Sequence, residues 1–92
     1  MPEVRLPTLL RQHARGQSSV IVDGATIGEV LEGLQRSYPG MAGQLVTDDG
    51  TLHRFVNVYL NDDDVRYMDK LDTKVQATDT VSILPAVAGG DS

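Results

Sequence analysis

One segment of the chain has the spacing of an amphipathic helix, and this limits the folds that the sequence can adopt. Its apolar residues recur at helical intervals, at Ile27, Val30, Leu31 and Leu34, which places them on one helix face. The other apolar runs are short and alternate with polar residues, as strands do. One apolar helix face is buried most simply against one sheet. The pattern therefore predicts an α+β fold, in which one main helix packs across a mixed sheet of four to five strands.

The predicted helix has a start signal and a stop signal. The Thr26 hydroxyl can accept a hydrogen bond from the amide of Glu29, and the Glu29 side chain can reach back, as in a capping box. Pro39-Gly40 ends the helix. Gly33 lowers its propensity by roughly 1 kcal/mol relative to Ala. We expect this glycine to allow a close approach between the helix and the sheet.

Five short runs are predicted to be strands. They lie at residues 3–9, 19–23, 55–60, 65–67 and 80–84. Pro7 in the first run indicates a strand that lies at a sheet edge or ends early. The first two runs form a hairpin with a long loop. Residues 41–54, with a turn at Asp48-Asp49-Gly50, and residues 68–77, with room for one helical turn, are expected to be mostly irregular.

The composition excludes several classes of function. The chain has 92 residues, a net charge of −5 and no cysteine. An acidic chain repels phosphate backbones, so we expect no nucleic-acid partner. We expect instead a partner protein with a basic surface. The lack of cysteine excludes disulfides, thiolate metal ligands and a cysteine nucleophile. No apolar segment approaches the roughly 18 residues of a membrane span, and no signal-peptide pattern opens the chain. We therefore expect a cytoplasmic protein that binds no membrane.

No group of residues predicts an active site or a metal site. His13 and His53 are far apart in the sequence, and no base or nucleophile lies at a recognisable spacing from either. Asp62-Asp63-Asp64 lacks the spacing of a calcium loop and is expected to be a solvated turn. Gly24 and Gly28 are not part of a phosphate-binding motif. The sequence therefore predicts no catalytic residue, no metal and no cofactor.

The end of the sequence has the features of a substrate rather than of an enzyme. Pro85 has no amide hydrogen and should end the pairing of the last strand, so a tail begins there. Small side chains and two glycines follow, which would let the tail enter a narrow channel. From Ala86 to Gly90 the tail would reach about 17 Å when extended. The residues expected to be recognised are Pro85, Ala86, Val87, Ala88 and Gly89.

Residues 78–90 resemble the closing motif of the ubiquitin-like sulfur carriers, the family of MoaD, ThiS and CysO. The chain reads T-D-T-V-S-I-L-P-A-V-A-G-G, and the family motif is G-D-x-V-x, two hydrophobic residues and P-P-V-A-G-G. Residues 52–67 most resemble the CysO branch, which serves cysteine biosynthesis. The resemblance covers nearly the whole chain. It implies a β-grasp domain at residues 1–85 and a flexible tail at residues 86–92.

The resemblance also implies a function as a carrier. An E1-like enzyme similar to MoeB, ThiF or MoeZ would adenylate Gly90, and a sulfur donor would convert the adenylate to a thiocarboxylate. The thiocarboxylate would give its sulfur to an acceptor synthase, which in the cysteine branch depends on pyridoxal phosphate. The product can be cysteine, a cofactor or another sulfur-containing metabolite. The carrier itself would catalyse no step.

The sequence departs from the family motif at three places. Thr78 stands in place of a glycine, and Ala86 stands in place of the second proline. These changes affect the turn and the stiffness of the tail. Asp91-Ser92 follows Gly90, so the carboxyl group of Gly90 is held in an amide bond. The resemblance therefore implies cleavage between Gly90 and Asp91, by a zinc metalloprotease of the JAMM type.

Strand alternation predicts a docking surface on the sheet face opposite the helix. It consists of Phe55, Tyr59 and Leu84. The alternative is that these side chains pack under the loop at residues 41–54. Two other functions fit the same fold. A ubiquitin-like modifier would be linked through Gly90 to lysines of other proteins, and a plain β-grasp binding module would not use its tail.

Overall fold

A computed structural model of the protein describes residues 1–47, 50–53 and 56–85. The strands are β1 (Glu3–Arg5), β2 (Ser19–Ile21), β3 (Val56–Leu60), β4 (Asp63–Asp64) and β5 (Thr80–Pro85). The α-helices are α1 (Thr8–Arg11) and α2 (Ile27–Ser37). Short 3-10 helices lie at Gln12–Ala14, Pro39–Met41, Val65–Tyr67 and Lys70–Asp72. The predicted α+β class, with one main helix, is confirmed.

The described strands form one mixed sheet in the order β2-β1-β5-β3-β4. The last strand in sequence, β5, lies in the centre, parallel to β1 and antiparallel to β3. Its register pairs Ser82 with Tyr59, and pairs Pro85 with Val56 at the start of β3. The chain therefore leaves the sheet from its central strand.

The two faces of the sheet differ in burial. On the inner face, which α2 covers, the strand residues are buried; they include Val4, Val20, Val58, Val81 and Ile83. Strand alternation turns their neighbours to the opposite, outer face, which carries Arg5, Tyr59, Ser82 and Leu84. The predicted inward orientation of Val81 and Ile83 is confirmed.

The ends of α2 follow the sequence signals. The Thr26 hydroxyl accepts a hydrogen bond from the Glu29 amide at 3.2 Å. The Glu29 carboxylate accepts one from the amide of Ala25 at 3.0 Å, one residue before the amide that a capping box uses. The helix ends at Ser37, ahead of Pro39, as predicted. Four residues on its inner side are buried: Ile27, Val30, Leu31 and Leu34.

Gly33 lies where α2 comes close to the end of β2. A Cβ atom added at Gly33 would lie 3.1 Å from Cγ1 of Val22 and 3.6 Å from the carbonyl oxygen of Asp23. The first distance is shorter than ordinary van der Waals contact. The expected close approach between helix and sheet is therefore confirmed.

The first predicted strand is shorter than expected. It ends at Arg5, and residues 8–11 form α1 instead of continuing the strand. The strand lies between β2 and β5, so the edge position considered for it is wrong and the early end is confirmed. Pro7 stops the ladder at this point, and its carbonyl accepts a hydrogen bond from Leu10 at 3.0 Å. The predicted antiparallel pairing with β2 is present.

The strand predicted at residues 65–67 is wrong, because this segment forms a 3-10 helix. The Asp64 carboxylate accepts a hydrogen bond from the Arg66 amide at 2.9 Å and so caps the helix. The Arg66 guanidinium donates to the carbonyl oxygen of Val56 at 2.8 Å. The short β4 pairing precedes it, so the acidic run is partly strand rather than only a turn. The helical turn expected within residues 68–77 is confirmed at Lys70–Asp72.

Three predictions concern residues outside the described part of the chain. They are the turn at Asp48-Asp49, the orientation of Phe55 and the tail at residues 86–92. Among the described residues, no helix has the length and apolar character needed to cross a membrane.

Candidate functional site

The candidate site is the surface from which the predicted tail begins. Pro85 is the last residue of β5 and is exposed, and Leu84 before it is 45% exposed. Beyond Pro85, the residues predicted to be recognised, adenylated or cleaved lie outside the described part of the chain; they are Ala86, Val87, Ala88, Gly89, Gly90 and Asp91. Their roles stay predictions. The described residues define the surface around the base of the tail.

Two members of the predicted docking surface lie on the outer face. Tyr59 is half-buried and pairs with Ser82, and Leu84 pairs with Asn57. Their inner-face neighbours Val58 and Ile83 are buried in the core. The predicted orientation of Tyr59 and Leu84 away from the core is therefore confirmed. Leu84 is partly exposed, and Gln44 and His53 of the loop at residues 41–54 line a groove together with it.

The sequence interpretation missed Leu9. In α1, Leu10 is 3% exposed and packs into the core, whereas Leu9 is 56% exposed. Leu9 lines the outer face together with Leu84 and Pro85. A signal was available, because adjacent leucines at positions 9 and 10 break strand alternation and Pro7 precedes them, as prolines often do at helix starts.

Two concave surfaces meet at the base of the tail. The outer depression has a volume of about 720 Å³ and is lined chiefly by Arg5, Leu9, Arg11, Tyr59, Leu84 and Pro85. The edge groove is smaller, about 160 Å³, and its lining includes Leu10, His53, Val56, Ile83 and Pro85. Pro85 lines both. The last described residue before the predicted tail therefore borders both concave surfaces.

The outer depression contains two arginines. Arg5 is exposed and pairs with Ser82. Arg11 is half-buried, and its Nε donates a hydrogen bond to the carbonyl oxygen of Leu6 at 3.2 Å. One carboxylate, that of Asp62, lines the same depression. The depression is therefore locally basic, although the chain has a net charge of −5.

The described contacts of the two histidines are with neighbouring residues of the fold. His13 packs beside Gly40, and its Nε2 lies 3.4 Å from Nε2 of Gln44. His53 donates its amide to the carbonyl oxygen of Leu45 at 2.9 Å. In residues 1–47, 50–53 and 56–85, no group of three or more His, Cys, Asp or Glu side chains could hold a metal ion.

The described lining of the outer depression has the composition of a binding surface. Its described lining consists mainly of leucine, proline, tyrosine and arginine side chains. Such residues bind the surface of a protein, and arginine and tyrosine are enriched where binding energy is concentrated.

Comparison with known proteins gives the family. A model of the ThiS family matches residues 4–90. The sulfur carrier protein CysO of Mycobacterium tuberculosis is 48% identical over 89 residues, which cover 95% of this chain and 96% of that one. Small archaeal modifier protein 3 of Haloferax volcanii is 41% identical over 78 residues, with coverage of 82% and 84%.

The fold agrees with the sequence relationship. A chain in the crystal structure of the Amycolatopsis orientalis BexX/CysO complex superposes with a TM-score of 0.89 and 44% identity. The match covers 98% of this chain and 100% of that chain. The predicted family and the predicted β-grasp fold are both confirmed. This chain belongs to the ThiS family and is a homologue of the sulfur carrier CysO.

Proposed function

We propose that this protein carries sulfur on the carboxyl group of Gly90. The observation that supports this most directly is that β5 ends at Pro85, between the outer depression and the edge groove. A tail that begins between two partly apolar surfaces can be presented to any protein that docks on them. We also divide the chain at this point, into a β-grasp domain at residues 1–85 and a tail at residues 86–92.

The proposed reaction begins with activation by an E1-like enzyme. The Gly90 carboxylate attacks the α-phosphorus of ATP, and pyrophosphate leaves. Hydrosulfide from a sulfur donor then attacks the acyl carbon and loses its proton, AMP leaves with the bonding electron pair, and the product is the thiocarboxylate. One sulfur has then replaced one oxygen at Gly90. The enzyme supplies the nucleotide site, so the carrier catalyses no step and needs no cofactor.

The reaction requires a free carboxyl group on Gly90. In the sequence, this group forms an amide bond with Asp91, and an amide carbonyl cannot be adenylated in the same way as a carboxylate. Hydrolysis of the Gly90–Asp91 bond must therefore precede activation. We assign this step to a metalloprotease of the JAMM type.

The sulfur acceptor is proposed to be a second protein. A CysO chain similar to this one has been crystallised with BexX, which supports docking of such carriers on a partner protein. The similarity to CysO favours a pyridoxal-phosphate-dependent synthase that makes cysteine, with a cofactor or another sulfur metabolite as the alternative product. We place this chemistry in the cytoplasm, where ATP and reduced sulfur are available.

A second candidate function is protein modification. It is favoured by the 41% identity to small archaeal modifier protein 3. In this case a lysine amine, rather than a sulfur nucleophile, would attack the activated Gly90 carbonyl and form an isopeptide bond. Mass spectrometry of cell extracts distinguishes the two, because a modifier gives adducts of higher mass and a carrier gives a free thiocarboxylate.

Three versions of the protein test the proposed function. They are the full-length chain, a chain that ends at Gly90 and a chain that ends at Gly89, each incubated with the activating enzyme of the same organism, ATP and a sulfide source. Intact mass should show replacement of oxygen by sulfur only in the version that ends at Gly90. The Gly89 version should react poorly, because its carboxylate falls roughly 3.5 Å short, and misplacement by about 1 Å can cost about 100-fold in rate.

Two outcomes would contradict the proposal. If the full-length chain gains sulfur at Ser92 without a protease, removal of Asp91-Ser92 is not required. If the Gly90 version never gains sulfur with any activating enzyme of the organism, the protein is not a sulfur carrier of this type.

A further inference from the structure

The edge groove is a small, mainly apolar recess at the end of β5. Three residues of the core contribute to its lining, Leu10, Val56 and Ile83, together with the exposed Leu9 and Leu84. Its volume is about 160 Å³, and an apolar cavity of about 150 Å³ holds a molecule the size of benzene. The groove therefore has room for one aliphatic side chain, and is too small for a helix or a strand.

The polar part of the lining is already engaged within the fold. The side-chain amide of Gln44 donates a hydrogen bond to the carbonyl oxygen of Gly40 at 2.8 Å. The backbone amide of His53 donates to the carbonyl oxygen of Leu45 at 2.9 Å. An occupant of the groove is therefore held mainly by apolar contact with the leucine, valine and isoleucine side chains, whose burial is favourable in water.

The sequence after β5 supplies one side chain of the size that the groove accepts. Pro85 lines the groove and is the last described residue. The seven residues that follow it are Ala-Val-Ala-Gly-Gly-Asp-Ser. Among these seven, Val87 has the only apolar side chain larger than a methyl group, and it follows Pro85 by two residues.

Strand alternation turns Val87 towards the side of the sheet on which the groove lies. In an extended chain, residues two apart share a face. Val81 and Ile83 point to the inner face and are buried, and Ile83 lines the groove. The fixed φ of a proline, about −65°, is compatible with an extended course after Pro85. On that course, Val87 points in the same direction as Ile83.

We propose that the edge groove binds the side chain of Val87, so that the tail packs on the domain over its first two residues. The inference goes beyond the proposed function, because the contact lies within this chain and needs no enzyme. Only two residues link Val87 to the groove through Pro85, so its effective concentration there is high. The free arm of the tail then begins at Ala88. It spans about 10 Å to Gly90, rather than the roughly 17 Å available from Ala86.

Methyl NMR spectroscopy of the full-length chain tests this contact. Nuclear Overhauser cross-peaks are expected between the methyl groups of Val87 and those of Leu10, Val56 and Ile83. Val87→Ser removes the isopropyl group, so the resonances of the three groove residues should shift. Val87→Ile keeps an aliphatic side chain and should keep the cross-peaks to the groove. Ala88→Ser is the matched control, since residue 88 points away from the groove when residue 87 points into it, and it should leave the groove resonances unchanged.

Three results would overturn the inference. In the first, Val87 shows no cross-peaks to the groove, and Val87→Ser and Ala88→Ser have the same small effect on its resonances. In the second, the groove methyl groups contact the ring of Phe55 instead, so that the chain before β3 fills the groove. In the third, the cross-peaks arise between differently labelled copies and disappear on dilution, so that the occupant is the tail of a second copy. None of these measurements involves sulfur transfer, so failure of the proposed function and failure of this inference are observed separately.

Discussion

Gly33 illustrates how one residue balances helix propensity against packing. Replacement of a mid-helix glycine by alanine usually stabilises a helix by roughly 1 kcal/mol. Here the new Cβ would lie 3.1 Å from Cγ1 of Val22, so the crowding offsets that gain. We expect Gly33→Ala to leave the free energy of unfolding unchanged or to lower it by up to about 1 kcal/mol, as measured by chemical denaturation.

The matched control removes the atom that is crowded. In a Val22→Ala background, Gly33→Ala should regain the stabilisation of roughly 1 kcal/mol that helix propensity predicts. If Gly33→Ala stabilises the wild-type protein by the same amount, the approach of α2 to Val22 does not constrain this position.

Leu84 is the residue of the predicted docking surface whose side chain can be changed with least effect on the core. It is 45% exposed on the outer face, so Leu84→Asp should leave the protein folded while placing a charge in an apolar contact. Binding to the activating enzyme should weaken about tenfold or more, as measured by calorimetry. Ile21→Asp is the control, because Ile21 is 59% exposed on the same sheet face but does not line the outer depression. Equal effects of the two substitutions would remove Leu84 from the docking surface.

At the scale of the elements, α1 buries one of two adjacent leucines and exposes the other. Leu10 is 3% exposed and Leu9 is 56% exposed. We expect Leu10→Ala to lower the free energy of unfolding by about 2–5 kcal/mol, and Leu9→Ala to change it by less than about 0.5 kcal/mol. Leu9→Ala should instead raise KM for sulfur transfer. Thermal unfolding and steady-state kinetics on both variants check this division; a Leu9 variant that loses stability but keeps its KM would contradict it.

The elements that the sequence predicts well are those with many local signals. α2 has an apolar face, a cap at Thr26 and a stop at Pro39, and β3 and β5 alternate clearly. Short elements depend more on tertiary contacts, because a few residues form too few local hydrogen bonds to be stable alone. For this reason the sequence pattern predicts strand at α1 and at Val65–Tyr67, where the structure has helices. The latter is held by the Arg66 side chain, which reaches back to the start of β3.

The sequence predicts only part of the candidate site. The tail was recognisable because its motif is contiguous, and Tyr59 and Leu84 followed from alternation. Leu9, Arg5 and Arg11 come together only through the parallel pairing of β1 with β5, which no local pattern specifies. The residues that join the site from the first part of the chain therefore required the structure.

At the scale of the whole molecule, net charge is a poor guide to any one surface. The value of −5 favoured a basic partner, and that prediction can still apply to the acidic end of the sheet. The parallel arrangement of β1 and β5 nevertheless brings Arg5 and Arg11 into the outer depression, which Pro85 also lines. An acidic chain can therefore carry a locally basic surface.

In the proposed function, the domain is a fixed base for a tail of defined reach, and this gives the last prediction. In the Gly90 version, two extra glycines between Ala88 and Gly89 would lengthen the tail by about 7 Å without changing the docking surface. KM should therefore stay near the wild-type value, whereas kcat should fall by about 100-fold, because the carboxylate no longer lies in line with the nucleotide. Ala88→Gly softens the tail at constant length and should cost far less. Leu84→Asp should have the opposite effect, with a higher KM and a kcat near the wild-type value. If the lengthened tail keeps its kcat, Gly90 is positioned by contacts of the tail alone, and the distance from Pro85 does not determine the rate.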